Sequence, residues 1–246
     1  MVPRDAASVL LLRDSPQAGG LEVLMVKRHA NSVFAGGMHV FPGGELESGD
    51  CDPGWKKLCR EPLPGELEKL CGDGTPPAKG IGLMVAGVRE LFEEAGILLA
   101  SPDPEGTAHQ PEVASALLRE YCARVREGTV KFQDMVRSLG LKLALDRLVL
   151  FAHWITPEFS PIRYDTRFFL APAPGDQEAD HDRSETTACL WIAPGEALRR
   201  CAEGKFPLLP PTMANLHALA DFRGVQEALE AAREREVPTI LIRFHD

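Results

Sequence analysis

Three carboxylates and a guanidinium crowd into Arg89-Glu90-Leu91-Phe92-Glu93-Glu94-Ala95-Gly96-Ile97. At about 100° per residue, Glu90, Glu93 and Glu94 share one helical face at i, i+3 and i+4, while Met84, Val88, Leu91, Phe92 and Ala95 fall on roughly the opposite one. Like charges at that spacing repel by roughly a few tenths of a kcal/mol per pair, so a surface helix gains nothing from them. A divalent ion would turn that repulsion into attraction, and hard cations such as Mg²⁺ or Mn²⁺ prefer carboxylate oxygens. Arg89, beside Glu93, can hold a carboxylate in orientation through paired hydrogen bonds. Gly96 is placed to end the helix. For a lone E-x-x-E-E segment the plain alternative is a solvated face with one intrahelical ion pair.

Upstream, Phe41-Pro42-Gly43-Gly44-Glu45-Leu46-Glu47-Ser48-Gly49-Asp50 reads as a strand end, a Pro-Gly-Gly turn and a short acidic loop. Taken with Arg89 to Ile97, it resembles the signature of the Nudix hydrolases. That pattern is glycine, five residues, glutamate, seven residues, then Arg-Glu, an apolar residue, any residue, Glu-Glu, any residue, glycine and an apolar residue. Counting from Gly44, five residues lead to Asp50, where the pattern has glutamate, so one carboxylate stands for another. Residues 51–88 separate Asp50 from Arg89, 38 positions where the compact signature has seven, which leaves 31 inserted inside the box.

The resemblance implies a pyrophosphohydrolase that uses Mg²⁺ or Mn²⁺ and acts on the acid anhydride of a nucleoside diphosphate derivative. On this chain it implies metal ligation by Glu90, Glu93, Glu94 and the Gly44 carbonyl, with Arg89 as their orienting partner. Catalysis is then expected of Arg89, Glu90, Glu93, Glu94 and Glu185, the last being an acidic residue ahead of Trp191 that completes the metal shell or activates water. A solvated loop glutamate is the alternative for Glu185. The chemistry is consistent with this set: negative diphosphate oxygens repel a nucleophile, so hydrolysis needs cations on those oxygens and a base for water.

The stretch from Trp154 to Phe169 is similar to one in a branch of the family that has a split box and includes coenzyme A diphosphatases. Strand alternation places Arg163, Asp165, Arg167 and Phe169 on one face, where Arg163 and Arg167 could read phosphate oxygens; a salt-bridged Arg-Asp-Arg row is the equal alternative. Lys27-Arg28 on a strand, followed by Gly37 and Phe41-Pro42-Gly43-Gly44, also resembles the coenzyme A subset, although the histidine of that subset is Ala35 here. Arg28 and Phe41 join Arg163 and Arg167 as expected substrate contacts. The favoured substrate is coenzyme A or acyl-coenzyme A. Other nucleotide sugars, ADP-ribose and dinucleotides stay open, as does a binding module of the same fold without catalysis. Intact Glu90, Glu93 and Glu94 argue against the last.

A net charge of -9 argues against a nucleic-acid backbone as the partner. A small phosphorylated molecule remains compatible through a metal. The six cysteines (Cys51, Cys59, Cys71, Cys122, Cys189, Cys201) form no C-x-x-C pair and no zinc spacing, which points to reduced thiols. His39, His153 and His181 lack ligand-like spacing and are expected in structural or surface roles. No apolar run reaches the roughly 18 residues of a membrane span, and no leader pattern opens the chain, so the expected compartment is the cytoplasm. Members of the family often form homodimers, and no residue pattern here specifies one.

The elements that must position these groups are legible from periodicity and breakers. Strands are expected at 6–13, 21–29, 38–41, 97–100, 148–155, 163–171 and 187–192. Helices are expected at 65–70, 83–95, 112–126, 131–139, 194–203, 211–221 and 225–236. This mixture gives an α/β (α+β) fold, and the resemblance implies a mixed sheet sandwiched between helices. The chain reads as one domain spanning 1–246, with an insertion at 51–82 and a helical annex at 111–140.

Overall fold

In the computed structural model, which describes residues 1–15, 19–32, 34–102, 115–175, 177–180 and 186–241, the chain opens on β1 (Arg4–Asp14), turns, and returns as β2 (Leu21–Arg28). Ala6 to Leu12 are apolar but for Ser8 and are buried on both faces, the pattern of a central strand. Short strands β3 (His39–Val40) and β4 (Gly43–Glu45) follow. A 3-10 turn at Ser48–Cys51 then leads into the insertion, which carries α1 (Trp55–Leu58) and α2 (Glu66–Cys71).

The long helix α3 (Pro77–Ala95) begins six residues before the expected start at Leu83. Pro77 sits in the first turn, where its missing N–H costs nothing. Gly80 and Gly82, which weaken the helical signal, are retained by packing: a Cβ on Gly82 would lie 2.5 Å from the Cys51 sulfur. Residues 77–82, read from the sequence as the end of the insertion, are therefore part of the acidic helix. Gly96 ends it in the left-handed region at φ 68°, as expected of a C-terminal glycine.

Next come β5 (Ala100–Pro102), then α4 (Ser115–Arg126) and α5 (Phe132–Ser138) in the span expected as a helical annex, then β6 (Leu141–Leu143), which pairs with β5 as a small separate sheet. The expected helical residues 112–114 lie outside the described residues. Phe132 bridges annex and core, its ring 5.6 Å from that of Trp55 and 6.0 Å from that of Phe92. The main sheet resumes with β7 (Val149–Ile155), β8 (Tyr164–Pro172) and β9 (Thr186–Ile192). Helices α6 (Pro194–Ala202), α7 (Pro210–Leu219) and α8 (Val225–Glu234) follow, and then β10 (Thr239–Leu241), a strand too short to leave a periodic signal.

The eight-stranded sheet runs β10-β7-β8-β1-β2-β3, with β4 added to β1 and β9 to β2. It is mixed: β1 and β8 are parallel, as are β7 and β10, and the other pairs are antiparallel. One face buries Val9, Leu11 and Phe169 beneath α3, where Gly87 lets the helix approach Val9 closely. The other buries Leu10, Leu12, Met25 and Phe151 among apolar residues of α6, α7 and α8, including Ala197, Leu216 and Leu229. This is the helix-sheet-helix sandwich expected from the sequence.

Candidate functional site

Two local structures build the site: the Pro-Gly-Gly strand β4 and the C-terminal half of α3. Gly43 pairs with Ser8 so tightly that a Cβ there would lie 2.5 Å from the Ala7 carbonyl oxygen. At Gly44 a Cβ would meet the Glu90 carboxylate, with carbon and Oε1 each at 2.5 Å. Gly43 thus lies against the backbone of β1 with no room for a side chain, and Gly44 lies against the acidic face of α3, where a side chain would have to displace the Glu90 carboxylate.

Arg89, 5% exposed, organises that face. Its Nε donates to Asp50 Oδ1 and its Nη2 to Asp50 Oδ2, both at 3.0 Å. Nη2 also donates to the Glu45 carbonyl at 2.9 Å, and Nη1 to Glu90 Oε1 at 2.6 Å and Glu93 Oε1 at 3.5 Å. Glu47 lies 3.9 Å from Nη1. Glu94 is held differently: the Gly43 N–H donates to its Oε2 at 3.0 Å, and Arg28 Nη1 lies 3.4 Å from its Oε1.

The electrostatics follow from this crowding. Burial pushes the Glu90 carboxyl up from 4.5 to about 7; Arg89 opposes the shift, and Glu93 and Asp50 add to it. Burial likewise raises Glu93 against the pull of Arg89. For the Arg89 guanidinium burial works downward, but its hydrogen bond to Asp50 and the charges of Glu90, Asp50 and Glu93 outweigh it and hold it protonated.

Among the described residues, no three His, Cys, Asp or Glu side chains converge as a ready ion cage. Glu90 and Glu93 instead turn toward Arg89 Nη1, and Glu94 toward Gly43. The donor set nevertheless fits a hard cation. Asp50, Glu90 and Glu93 share one guanidinium, so negative charge exceeds positive within a partly buried space, and the oxygen donors are of the class Mg²⁺ and Mn²⁺ take.

The ridge opens on a cleft of ≈740 Å³. Gly44, Glu90, Glu93 and Glu94 give it an acidic lining, while Phe34, Phe41, Trp154, Phe159, Phe168 and Pro210 supply apolar walls. Phe34 meets Tyr164 edge-on at 4.9 Å and Phe41 meets Phe168 at 6.4 Å. Charged and apolar lining in one cleft suits a ligand that combines a phosphate ester with an uncharged portion.

Of the residues singled out from the sequence, Arg28, Phe41, Gly44, Arg89, Glu90, Glu93 and Glu94 line this one cleft. Arg163 and Arg167, expected as phosphate contacts, are not among the residues that line it. On β8 it is Tyr164, Thr166 and Phe168 that face the cleft, so strand alternation turns Asp165 and Arg167 to the opposite side. There Arg167 is 2% exposed, bonded to Asp165, to Asp73 at 2.5 Å and to Thr75 at 3.0 Å. Asp73 and Thr75 come from the insertion, which covers this side. Arg163 is spent on backbone, donating to the Thr156 carbonyl at 3.0 Å and the Met1 carbonyl at 2.6 Å. Glu185 lies outside the described residues. The sequence reading did not single out Glu45, Tyr164, Phe159 or Arg126, all of which line the cleft; for Tyr164 the signal was present as the other phase of the same alternation.

The family profile described as the NUDT19 Nudix domain matches residues 3–219. Acyl-coenzyme A diphosphatase NUDT19 of Gallus gallus is 30% identical over 271 residues, covering 94% of this chain and 72% of that protein. The Homo sapiens protein of the same name is 28% identical over 263 residues, covering 92% and 70%. The crystal structure of a NUDIX hydrolase from Alicyclobacillus acidocaldarius superimposes with a TM-score of 0.77 at 29% identity, covering 94% of this chain and 96% of that one.

Proposed function

The chain belongs to the NUDT19 Nudix domain family of Nudix hydrolases, and on that premise we propose that it hydrolyses the diphosphate linkage of coenzyme A or an acyl-coenzyme A with Mg²⁺ or Mn²⁺ bound at the acidic ridge. The products would be a phosphopantetheine, acylated or not, and a 3′-phosphorylated adenosine monophosphate. One observation carries the substrate reading: the carboxylate ridge and the aromatic walls belong to a single cleft of ≈740 Å³, spacious enough to seat a diphosphate together with a long uncharged arm. The relatives named acyl-coenzyme A diphosphatase support the same choice.

In this reading Glu90, Glu93, Glu94 and the Gly44 carbonyl hold the cation, which when bound neutralises negative charge on the diphosphate oxygens. The chain's own part is positional. Asp50 locks Arg89 through Nε and Nη2, leaving Nη1 to fix Glu90 and Glu93. The Gly43 N–H holds one oxygen of Glu94. A carboxylate of the ridge, or Glu185, takes the proton of the attacking water. Phe41 and Phe168, with Trp154 and Phe159, give the uncharged arm an apolar surface and keep bulk water from it. Residues 51–82 and 111–140 are taken as elaborations of this one domain.

The test is a product screen by mass detection over coenzyme A, an acyl-coenzyme A, ADP-ribose, NADH and a diadenosine polyphosphate, each with Mg²⁺ and with Mn²⁺. Preferential release of phosphopantetheine supports the proposal. Preferential cleavage of another member of the panel overturns the substrate, and binding without cleavage of any member overturns the enzyme.

A further inference from the structure

Three described guanidinium groups line the cleft: those of Arg28, Arg89 and Arg126. Arg89 is committed to Asp50, Glu90 and Glu93, and Arg28 lies 3.4 Å from Glu94. Arg126, the last residue of α4, is placed otherwise. Its Nε donates to the Cys122 carbonyl at 3.4 Å and its Nη2 to the Cys122 thiol at 3.2 Å, and among the described residues no carboxylate pairs with it. A thiol and a carbonyl of its own helix are weak partners for a full positive charge, and the side chain is exposed to the cleft.

Its location is fixed by the same cysteine. Cys122 is buried, and its thiol donates to the Phe92 carbonyl at 3.0 Å and lies 4.0 Å from the Glu93 carbonyl. The Arg126 guanidinium therefore stands beside the Glu93 end of the acidic ridge. A diphosphate approaching a row of carboxylates meets like charge, and a fixed fork of N–H donors offsets that and sets its orientation. With Arg163 and Arg167 outside the cleft, the annex supplies this cation.

We infer that Arg126 is a substrate-binding residue whose guanidinium takes a non-bridging oxygen of the diphosphate. The inference rests on the diphosphatase reading and gives the annex a role in it: docking α4 on α3 delivers a positive charge that Arg89 of α3, held by Asp50, Glu90 and Glu93, does not offer a ligand.

The test uses the full chain and the variants Arg126→Ala and Arg126→Lys, assayed with coenzyme A, dephospho-coenzyme A and ADP-ribose, with calorimetric binding of ADP in Mg²⁺ as a readout independent of turnover. Losing a charge-assisted contact should raise KM and the ADP Kd on the order of 10- to 100-fold, with a smaller effect on kcat, and lysine should restore part of the loss. The thermal midpoint should stay put because the side chain is exposed. Equal losses on coenzyme A and dephospho-coenzyme A support contact with the diphosphate. A loss confined to coenzyme A overturns it in favour of the 3′-phosphate, and unchanged KM and ADP affinity overturn it outright. Should the parent protein cleave neither coenzyme A compound yet bind ADP in an Arg126-dependent way, the substrate reading fails and this inference stands.

Discussion

Asp50 and Arg89, 39 positions apart, meet in a two-pronged ion pair with both contacts at 3.0 Å, and the entire insertion lies between them. The two ends of the interrupted signature are thereby joined in space, and Asp50 does so from the position where the family pattern carries glutamate. Both side chains are almost fully buried. Removing one partner of such a pair strands the other charge, which costs about 3–5 kcal/mol. Asp50→Ala is therefore expected to lower the unfolding free energy by about 3 kcal/mol and to lower turnover as well, because Arg89 loses its anchor. Urea unfolding followed by fluorescence measures the first effect; a loss under 1 kcal/mol would show that Arg89 is held well enough by Glu90 and Glu93 alone.

The two glycines of the turn should separate by phenotype. At Gly43 an added methyl meets backbone, the Ala7 carbonyl oxygen at 2.5 Å, and the strand pairing must shift. At Gly44 it meets the end of the Glu90 side chain, which can move. Gly43→Ala should destabilise the protein by about 1–3 kcal/mol, whereas Gly44→Ala should leave the melting temperature nearly unchanged and weaken Mg²⁺ binding. Calorimetry on both variants reads the difference, and equal metal affinity in Gly44→Ala and the parent would disconnect Gly44 from the metal site.

The raised carboxyls of the ridge make a signed prediction about pH. A carboxyl whose folded value lies above its unfolded one stabilises the fold fully below the unfolded value and ceases to do so as pH rises through the folded value. For Glu90 that window runs from 4.5 to about 7, and Glu93 acts in the same direction. Metal-free protein should therefore lose stability across this interval, at up to about 1.4 kcal/mol per pH unit from one group. Glu90→Gln should flatten the profile, and so should saturating Mg²⁺ in the parent. Parallel profiles for parent and variant would contradict the burial of Glu90. Asp73 and Asp165, whose carboxyls are lowered, titrate below this window.

Arg167 is expected to matter for stability and not for substrate. It holds Asp165 and, through Asp73 and Thr75, the insertion. Arg167→Met should lower the melting temperature by several degrees, in line with about 2–4 kcal/mol for a broken buried network, while the folded enzyme keeps its KM. A large rise in KM at unchanged melting temperature would return Arg167 to the binding site.

How much of this was legible in the sequence depended on whether a signal was local. Glu90, Glu93, Glu94 and Arg89 lie within two helical turns, so spacing alone places them together, and the Gly43-Gly44 turn announces itself by composition. The start of α3 was misplaced because Gly80 and Gly82 read as breakers, and only packing against Cys51 and Leu67 explains them. On β8 the alternation was visible, but the phase facing the cleft depends on the insertion covering the other side, a contact between residues 73 and 167 that no local pattern encodes. Arg126 was invisible for the same reason: its importance comes from where α4 docks.

On the proposed function, the carboxylates of α3 grip a divalent ion for diphosphate hydrolysis. This is tested most directly by metal-dependent turnover of Glu93→Gln and Glu94→Gln, isosteric changes at positions 24% and 5% exposed. Both variants should show a fall in kcat/KM of about 10³-fold or more, weakened Mg²⁺ binding and a retained cooperative melt. Turnover within a factor of a few of the parent in both variants, at equal metal concentration, would contradict it.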